Sequence, residues 1–312
     1  MPLSEPLIFE PLFMERVWGG RRLETMYGKR LPQGVRIGES WELVDREDVQ
    51  SVVHTGPLRG ATLHELWSEH RNEIFGSGLA ETPRFPLLFK LLDAQDRLSV
   101  QVHPPADVAA RLGGDAKTEM WFFMNTLLDS VLYAGLKHGV TRARFEEALN
   151  EGNVAELIHQ IPTRTGDAFW IPSGRIHAIG AGNVIFEVQQ NSDTTYRVFD
   201  WKRLGLDGRP RPLHVAESLE SIDFDDPEPG VIQPEGELLV SCEYFQVEKW
   251  VLTSSRECGG GRFAVFTVAD GEVACGGRTF PSGSLFLVPA SWSGGAIEPR
   301  TPSATVLRST IP

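Results

Sequence analysis

The sequence predicts a mainly β protein, a barrel or sandwich with a helical insertion, followed by a smaller C-terminal β-sandwich. Three observations point there. Residues 98–104 alternate apolar and polar side chains strictly, as a strand with one packed face does. Between residues 166 and 199, short β-branched and aromatic runs are separated by Gly-rich turns. A Pro- and acid-rich linker, 223–236, then precedes a tail with more such runs. The expected division is a first domain, 1–225, with the insertion at about 104–160, and a second, 237–312.

In chain order, an apolar segment at Leu7-Ile8-Phe9 comes first, and Gly19-Gly20 predicts a tight backbone turn. In residues 39–44, Ser40 and Glu42 alternate with Trp41 and Leu43, the signature of a strand. Leu63, Leu66, Trp67, Ile74 and Phe75 approximate helical spacing. Residues 85–94 form an apolar run interrupted by Lys90, which reads as a strand covered on both faces, and a cation held there needs a partner. Helices are expected over 106–112 and 142–158, the second with an apolar stripe from Phe145 and Ala148 to Leu157 and Ile158. The β pattern returns with Ala168-Phe169-Trp170-Ile171, a Pro172-Ser173-Gly174 turn and His177. A Gly180-Ala181-Gly182-Asn183 hairpin signal and strands at 184–188 and 194–199 follow. In the tail, strands are expected near 244–251, 263–268, 272–274 and 284–288.

Composition limits the function. The 312 residues carry 30 Lys and Arg against 42 Asp and Glu, a net charge of −12, and the basic residues do not gather into runs. A nucleic-acid groove or an anionic membrane surface is therefore not expected, and any phosphate would be met by a few local cations. The N-terminal residues show no basic and apolar leader, and no apolar stretch of membrane-spanning length occurs. Cys242, Cys258 and Cys275 are odd in number and contain no CxxC, which argues against a disulfide framework or a zinc knuckle and fits a cytoplasmic protein.

The chemistry concentrates on the strictly alternating strand. Leu98, Val100 and Val102 would share one face, and Ser99, Gln101 and His103 the other. Residues two apart lie about 6.6 Å apart, so a Gln amide and an imidazole can converge on one metal ion roughly 2 Å from each. Glu119, leading into Met120-Trp121-Phe122-Phe123, is a carboxylate expected to be buried, which is costly unless it is paired or metal-bound. His177, after the Pro-Ser-Gly turn, is the fourth candidate. Singly, a strand-ending His is more often a hydrogen-bonded residue than a ligand; the shared face and the company of Glu119 strengthen the metal reading. His54, His64, His70, His138 and His214 have no such company. For Glu187, an exposed strand competes with a position inside the barrel, and for Arg197 a structural ion pair competes with a role in the site.

The motifs Gln101-Val102-His103-Pro104, Lys117-Thr118-Glu119-Met120-Trp121, 171–178 (IPSGRIHA) and 187–198 (EVQQNSDTTYRV) resemble those of the type I mannose-6-phosphate isomerases of the short bacterial form. The resemblance spans roughly residues 6–223. It implies a cupin, a double-stranded β-helix or jelly-roll barrel with a helical insertion and a second jelly-roll lobe. By matching position it implies one Zn²⁺ per chain held by Gln101, His103, Glu119 and His177. Lys117, Glu187, Asp193 and Arg197 fall on active-site positions, and Lys90 matches a lysine of the same pocket. Ser99, on the face of Gln101, is counted with Lys90 as substrate-binding. Pro104-Pro105-Ala106 departs from the family, which more often has an acid directly after the proline; this lies outside the ligand set.

The implied reaction interconverts mannose 6-phosphate and fructose 6-phosphate by moving a proton between C2 and C1 through an enediol. It calls for a base, Glu187 or Asp193, an electrophile, and cations for the phosphate, for which Lys90, Lys117 and Arg197 are available. The expected partner is thus a small sugar phosphate, and the chain a monomer or weak homo-oligomer. Two other classes compete: an Fe- or Mn-dependent cupin oxygenase, because N/O donors discriminate poorly among divalent metals, and a non-catalytic sugar-phosphate sensor.

Overall fold

The computed structural model describes Leu3 and residues 5–312; Met1, Pro2 and Ser4, part of the segment read for a leader, lie outside the described residues. The first lobe contains β1 (Leu12–Gly20), β2 (Ile37–Leu43), β3 (Leu87–Ala94), β4 (Val100–Val102), β5 (Glu119–Thr126), β6 (Val131–Leu136), β7 (Ile158–Pro162), β8 (Ala168–Ile171), β9 (His177–Ile179), β10 (Asn183–Gln190) and β11 (Tyr196–Phe199). They form a six-stranded sheet, β1-β2-β3-β10-β5-β8, and a five-stranded sheet, β11-β4-β9-β6-β7, antiparallel throughout. Trp121, Phe123, Phe169 and Ile185 of the first pack on Leu132, Ala134, Ile161 and Ile179 of the second, closing one end of a barrel.

Every residue of β3 is buried, because both of its faces are covered. Leu87, Phe89 and Leu91 face away from the barrel into a core shared with α2 (Leu63–Glu69), α3 (Arg71–Ile74) and the second lobe, while Lys90 and Leu92 face inward. Helical spacing over 63–75 is realised as those two helices, broken at His70. The outer face of the five-stranded sheet is covered by α5 (Arg142–Glu151) and α6 (Val215–Ser221), through Phe145, Ala148 and Ile222 packed on Val100, Val102 and Val198. Residues 104–160 carry α4 (Ala106–Leu112) and α5, and between them run β5 and β6, which are strands of the two sheets. Helix α5 stops at Gly152, whose φ of 76° ends it about two turns before the expected 158. Residues 223–236 are held against the barrel rather than free: Arg175 grips Asp226 at 2.7 and 2.8 Å, and Ile232 donates its N–H to Ala168.

The tail folds into a second pair of sheets, β12 (Leu238–Ser241), β13 (Gln246–Leu252), β20 (Ala304–Thr310), β15 (Ala264–Asp270) and β18 (Leu285–Val288) against β14 (Arg256–Glu257), β19 (Ala296–Pro299), β16 (Glu272–Cys275) and β17 (Arg278–Pro281). Trp250, Phe266, Phe280 and Phe286 fill the space between them. No helix among the described residues is long and apolar enough to cross a membrane.

Two local expectations change, and a third is filled out. The Gly180–Asn183 signal joins β9 to β10, which belong to different sheets, so it is a crossover and not a hairpin. The strand expected over 39–44 forms, and its polar phase is buried like its apolar one: Ser40 and Glu42 bond to each other at 2.6 Å, and Lys29 reaches Glu42 at 2.7 Å. Gly19 and Gly20 end β1 and make no turn. A Cβ on Gly19 would sit 2.4 Å from the backbone nitrogen of Gly38, so the glycine permits β1 to lie directly on β2. Gly19→Ala is expected to cost about 1–3 kcal/mol, as overpacking against backbone does, and to lower the melting temperature by several degrees. An unchanged melting curve would mean the close approach is not a constraint.

Candidate active site and metal centre

Antiparallel pairing sets side chains from neighbouring strands at one level on one face. In the five-stranded sheet, Arg197 pairs with Gln101 and Gln101 with His177, giving a row across β11, β4 and β9. In the facing sheet, Trp41 pairs with Lys90, Lys90 with Glu187 and Glu187 with Trp121. Glu119, two residues before Trp121, lies on the same face one level away, and His103 continues the phase of Gln101 past the end of β4. The two rows meet across the barrel's open end, in a cavity of about 570 Å³ lined by Gln101, Ser99, Lys90, Lys117, Glu187, Asp193 and Arg197.

His103, Glu119 and His177 form a group able to hold a metal ion, each buried, with ligand atoms within 4.8 Å of one another. His103 Nε2 and His177 Nε2 lie 3.4 and 3.5 Å from Glu119 Oε1, and the Gln101 amide nitrogen lies 3.3 Å from His177 Nε2. Donors about 2.0–2.1 Å from a tetrahedral zinc stand roughly 3.3–3.4 Å apart, so the two His–Glu119 distances are those of a ligand shell, which Gln101 would join through its amide oxygen. Glu119 Oε1 and His103 Nε2 are buried without a hydrogen-bond partner, which a bound cation would satisfy, while Glu119 Oε2 has the Lys117 ammonium 3.0 Å away. Each imidazole is oriented through its other nitrogen: His103 Nδ1 lies 2.9 Å from the Thr194 carbonyl and His177 Nδ1 2.9 Å from that of Arg175. A proton on Nδ1 leaves the Nε2 lone pair facing inward. The Ser99 hydroxyl donates to Gln101 Oε1 at 3.2 Å and fixes the amide.

Electrostatics favour the same protonation states. Burial pushes both imidazoles down, His177 to about 3, with the His103 charge adding to it, and His103 with help from Lys117. Burial alone would raise Glu119, but Lys117, 3.0 Å away, and His103 hold it well below the carboxylate range. The Lys117 ammonium, opposed by burial, is stabilised by Glu119 and Glu187 and stays charged. Glu187 differs: burial raises its pKa against the pull of Lys90 at 3.2 Å, while the Trp121 indole donates to Oε2 at 2.9 Å and Oε1 has no hydrogen-bond partner. The resulting array is two neutral imidazoles and an ionised carboxylate facing a carboxylate of raised pKa.

Asp193 lines the cavity from an exposed position. Arg197 makes no ion pair among the described residues; its Nη1 donates to the Pro212 carbonyl at 2.9 Å and its buried Nε has no partner. All ten residues singled out from sequence thus lie in or beside one pocket. Sequence reasoning missed Trp121 as the donor to Glu187, and missed Glu39, which Arg16 grips at 3.0 and 3.2 Å and Trp41 reaches at 2.8 Å. Against its burial, Lys90 and Arg16 lower Glu39 to about 2. Glu39 stands two residues before Trp41 and shares its face of β2, but its partner Arg16 is brought by β1, which no local pattern shows.

Residues 7–121 match the family described as phosphomannose isomerase type I, catalytic domain, a span that holds Gln101, His103 and Glu119 but not His177, Glu187 or Arg197. Over a longer reach, the chain is 39% identical to the mannose-6-phosphate isomerase ManA of Bacillus subtilis across 279 residues, 86% of this chain and 87% of that one. It is 36% identical to the mannose-6-phosphate isomerase of Streptococcus mutans over 260 residues, 81% of each chain. The crystal structure of a mannose 6-phosphate isomerase from Bacillus subtilis superposes with a TM-score of 0.87 at 32% identity, covering 98% of this chain and all of that one. Likeness of this extent, carried through both lobes in sequence and in fold, makes the chain a member of the type I mannose-6-phosphate isomerases and its barrel a cupin.

Proposed function

We propose that the chain interconverts mannose 6-phosphate and fructose 6-phosphate through an enediol, with Glu187 moving the proton between C2 and C1. The observation that carries this reading is a raised-pKa carboxylate in the same cavity as the His103, Glu119 and His177 group. A base must hold a pKa close to the working pH to take a weakly acidic C–H proton and return it, and burial moves Glu187 in that direction. Trp121 holds Oε2 by a hydrogen bond, and Oε1, which has no hydrogen bond but has the Lys90 ammonium 3.2 Å away, is the atom that accepts the proton.

His103, Glu119, His177 and the Gln101 amide would hold one divalent ion, and two imidazoles, an amide and a carboxylate suit zinc. Bound there, it would supply a Lewis acid for the sugar oxygens. Lys117 keeps Glu119 ionised for that task. Arg197, level with Gln101, offers its unpartnered Nε to charge developing on the substrate. Lys90 and Ser99 line the substrate cavity and also hold Glu187 and Gln101 in register. Asp193, at the rim, is the lesser candidate for the base because solvent surrounds it.

Metal analysis and a coupled assay with mannose 6-phosphate test the reading. About one divalent ion per chain is expected, and Gln101→Leu, nearly silent for a solvent-facing glutamine, should lose both metal and activity; full retention of both would remove the ligand set. Glu187→Gln should lower kcat by about 10²–10⁴-fold with metal retained and should abolish exchange of the substrate's C2 proton with solvent, whereas Asp193→Asn should do less. The reverse ranking would make Asp193 the base. For Arg197→Ala, a kcat at least about a hundredfold lower with an unchanged melting temperature is expected, as for loss of one preorganised donor. A lowered melting temperature with normal turnover would make Arg197 structural.

A further inference from the structure

Five cations line the cavity, Arg16, Lys90, Lys117, Arg197 and Arg211, and most of their donors are already committed. Lys90 is held by Glu187 and Lys117 by Glu119, both at the buried end. Arg16 gives two nitrogens to Glu39 and the third to the Glu15 carbonyl at 3.1 Å. What is left is Arg197, with Nε unpartnered, and Arg211, whose Nη1 has no protein partner among the described residues.

Arg211 stands on the segment that closes one side of the cavity mouth. After β11 the chain turns through Trp201 and Lys202, both at φ 57°, and returns so that Gly205, Leu206 and Pro210 to Pro212 face the cavity. The turn is tied down: the Trp201 indole donates to the Leu98 carbonyl at 2.6 Å, and Arg197 reaches the Pro212 carbonyl. Asp200 then takes Arg211 by two parallel bonds, Nε at 2.7 Å and Nη2 at 2.5 Å, and takes Arg203 at 2.9 Å as well. Asp200 thus holds two guanidiniums, with the exposed Asp96 3.5 Å from Arg203, and it takes Arg211 by one edge only, leaving Nη1 for a ligand. Burial and the neighbouring Arg211 together lower the Arg197 pKa against the pull of Asp200. Asp193 and Asp207 line the same rim, but both are exposed, and Asp207 already accepts the Arg209 N–H at 3.0 Å.

From this geometry we infer that Arg211 is a specificity-determining residue that takes the phosphate-monoester end of the substrate at the cavity mouth, with Asp200 as the positioning residue that aims it. The inference rests on the sugar-phosphate reading above. A guanidinium held along one edge by a carboxylate loses little freedom when its remaining N–H group meets a phosphate oxygen, and the bond is charge-assisted. The sugar then spans the distance from this mouth to Gln101 and Glu187, so the reacting carbons lie at the buried end and the phosphate at the open one.

The test compares wild type with Arg211→Gln, Arg211→Lys and Asp200→Asn, and uses Arg209→Gln, an exposed neighbour outside the cavity lining, as control. Loss of one charge-assisted contact should raise KM for mannose 6-phosphate and the inhibition constant of inorganic phosphate together, by about tenfold or more in Arg211→Gln, with kcat within about threefold. Arg211→Lys should recover part of both, Asp200→Asn should raise both less, and Arg209→Gln should change neither. Three results would overturn the inference: both constants within twofold of wild type in Arg211→Gln; a lower kcat at unchanged KM; or variants that only melt earlier while the folded fraction keeps its KM. Should wild type fail to isomerise mannose 6-phosphate, the sugar-phosphate reading falls, and calorimetric titration of inorganic phosphate into wild type and Arg211→Gln still decides the clamp on its own.

Discussion

Glu119, Lys117, Lys90 and Glu187 are charged groups with almost no water around them, and the barrel is arranged so that each meets its counterpart. A lone carboxylate or ammonium in such a place costs several kcal/mol, and breaking one partner of a buried pair costs roughly 3–5 kcal/mol. The two pairs are not equivalent. Glu119 is held ionised by Lys117 beside it, whereas Lys90 does not offset the burial of Glu187, which is drawn toward its protonated form. The proposed division of the two carboxylates into a ligand and a base rests on that asymmetry, which comes from neighbours rather than from residue type.

Keeping these charges in place is a task of the scaffold. The six-stranded sheet is covered on its outer face by α2, α3 and the second lobe, through Phe75, Phe85, Phe245 and Phe263. This cover lets β3 and β10 be buried over their length, and a strand buried on both sides cannot slip register without turning Lys90 or Glu187 into an apolar core. The second lobe thus acts on the site through packing, although no side chain of it lines the cavity. The five-stranded sheet is braced in the same way by α5 and α6. One end of the interior is filled with aromatic and aliphatic side chains and the other is left polar and open, so the barrel has a floor as well as walls.

Much of this was legible in the chain itself. Strict alternation across residues 98–104 determines that Ser99, Gln101 and His103 share a face, because a strand has a period of two whatever surrounds it. The apolar run around Lys90 likewise determines a doubly covered strand with a cation in need of a partner. Partners, by contrast, came only from tertiary structure. Glu187 joins Lys90, and Arg197 joins Gln101 and His177, through strands that are distant in sequence, and the Gly180–Asn183 turn shows that a local signal does not say whether the next strand stays in its sheet or crosses to the other. Glu39 and Arg211 were invisible for the same reason: one needed β1 laid on β2 through Gly19, the other a turn at Trp201 and Lys202 that carries a loop arginine back over the mouth. Side-chain phase is a property of the local backbone and can be read along the chain, whereas proximity and the pKa shifts that follow from it depend on which distant strands pair and how deeply each group is buried.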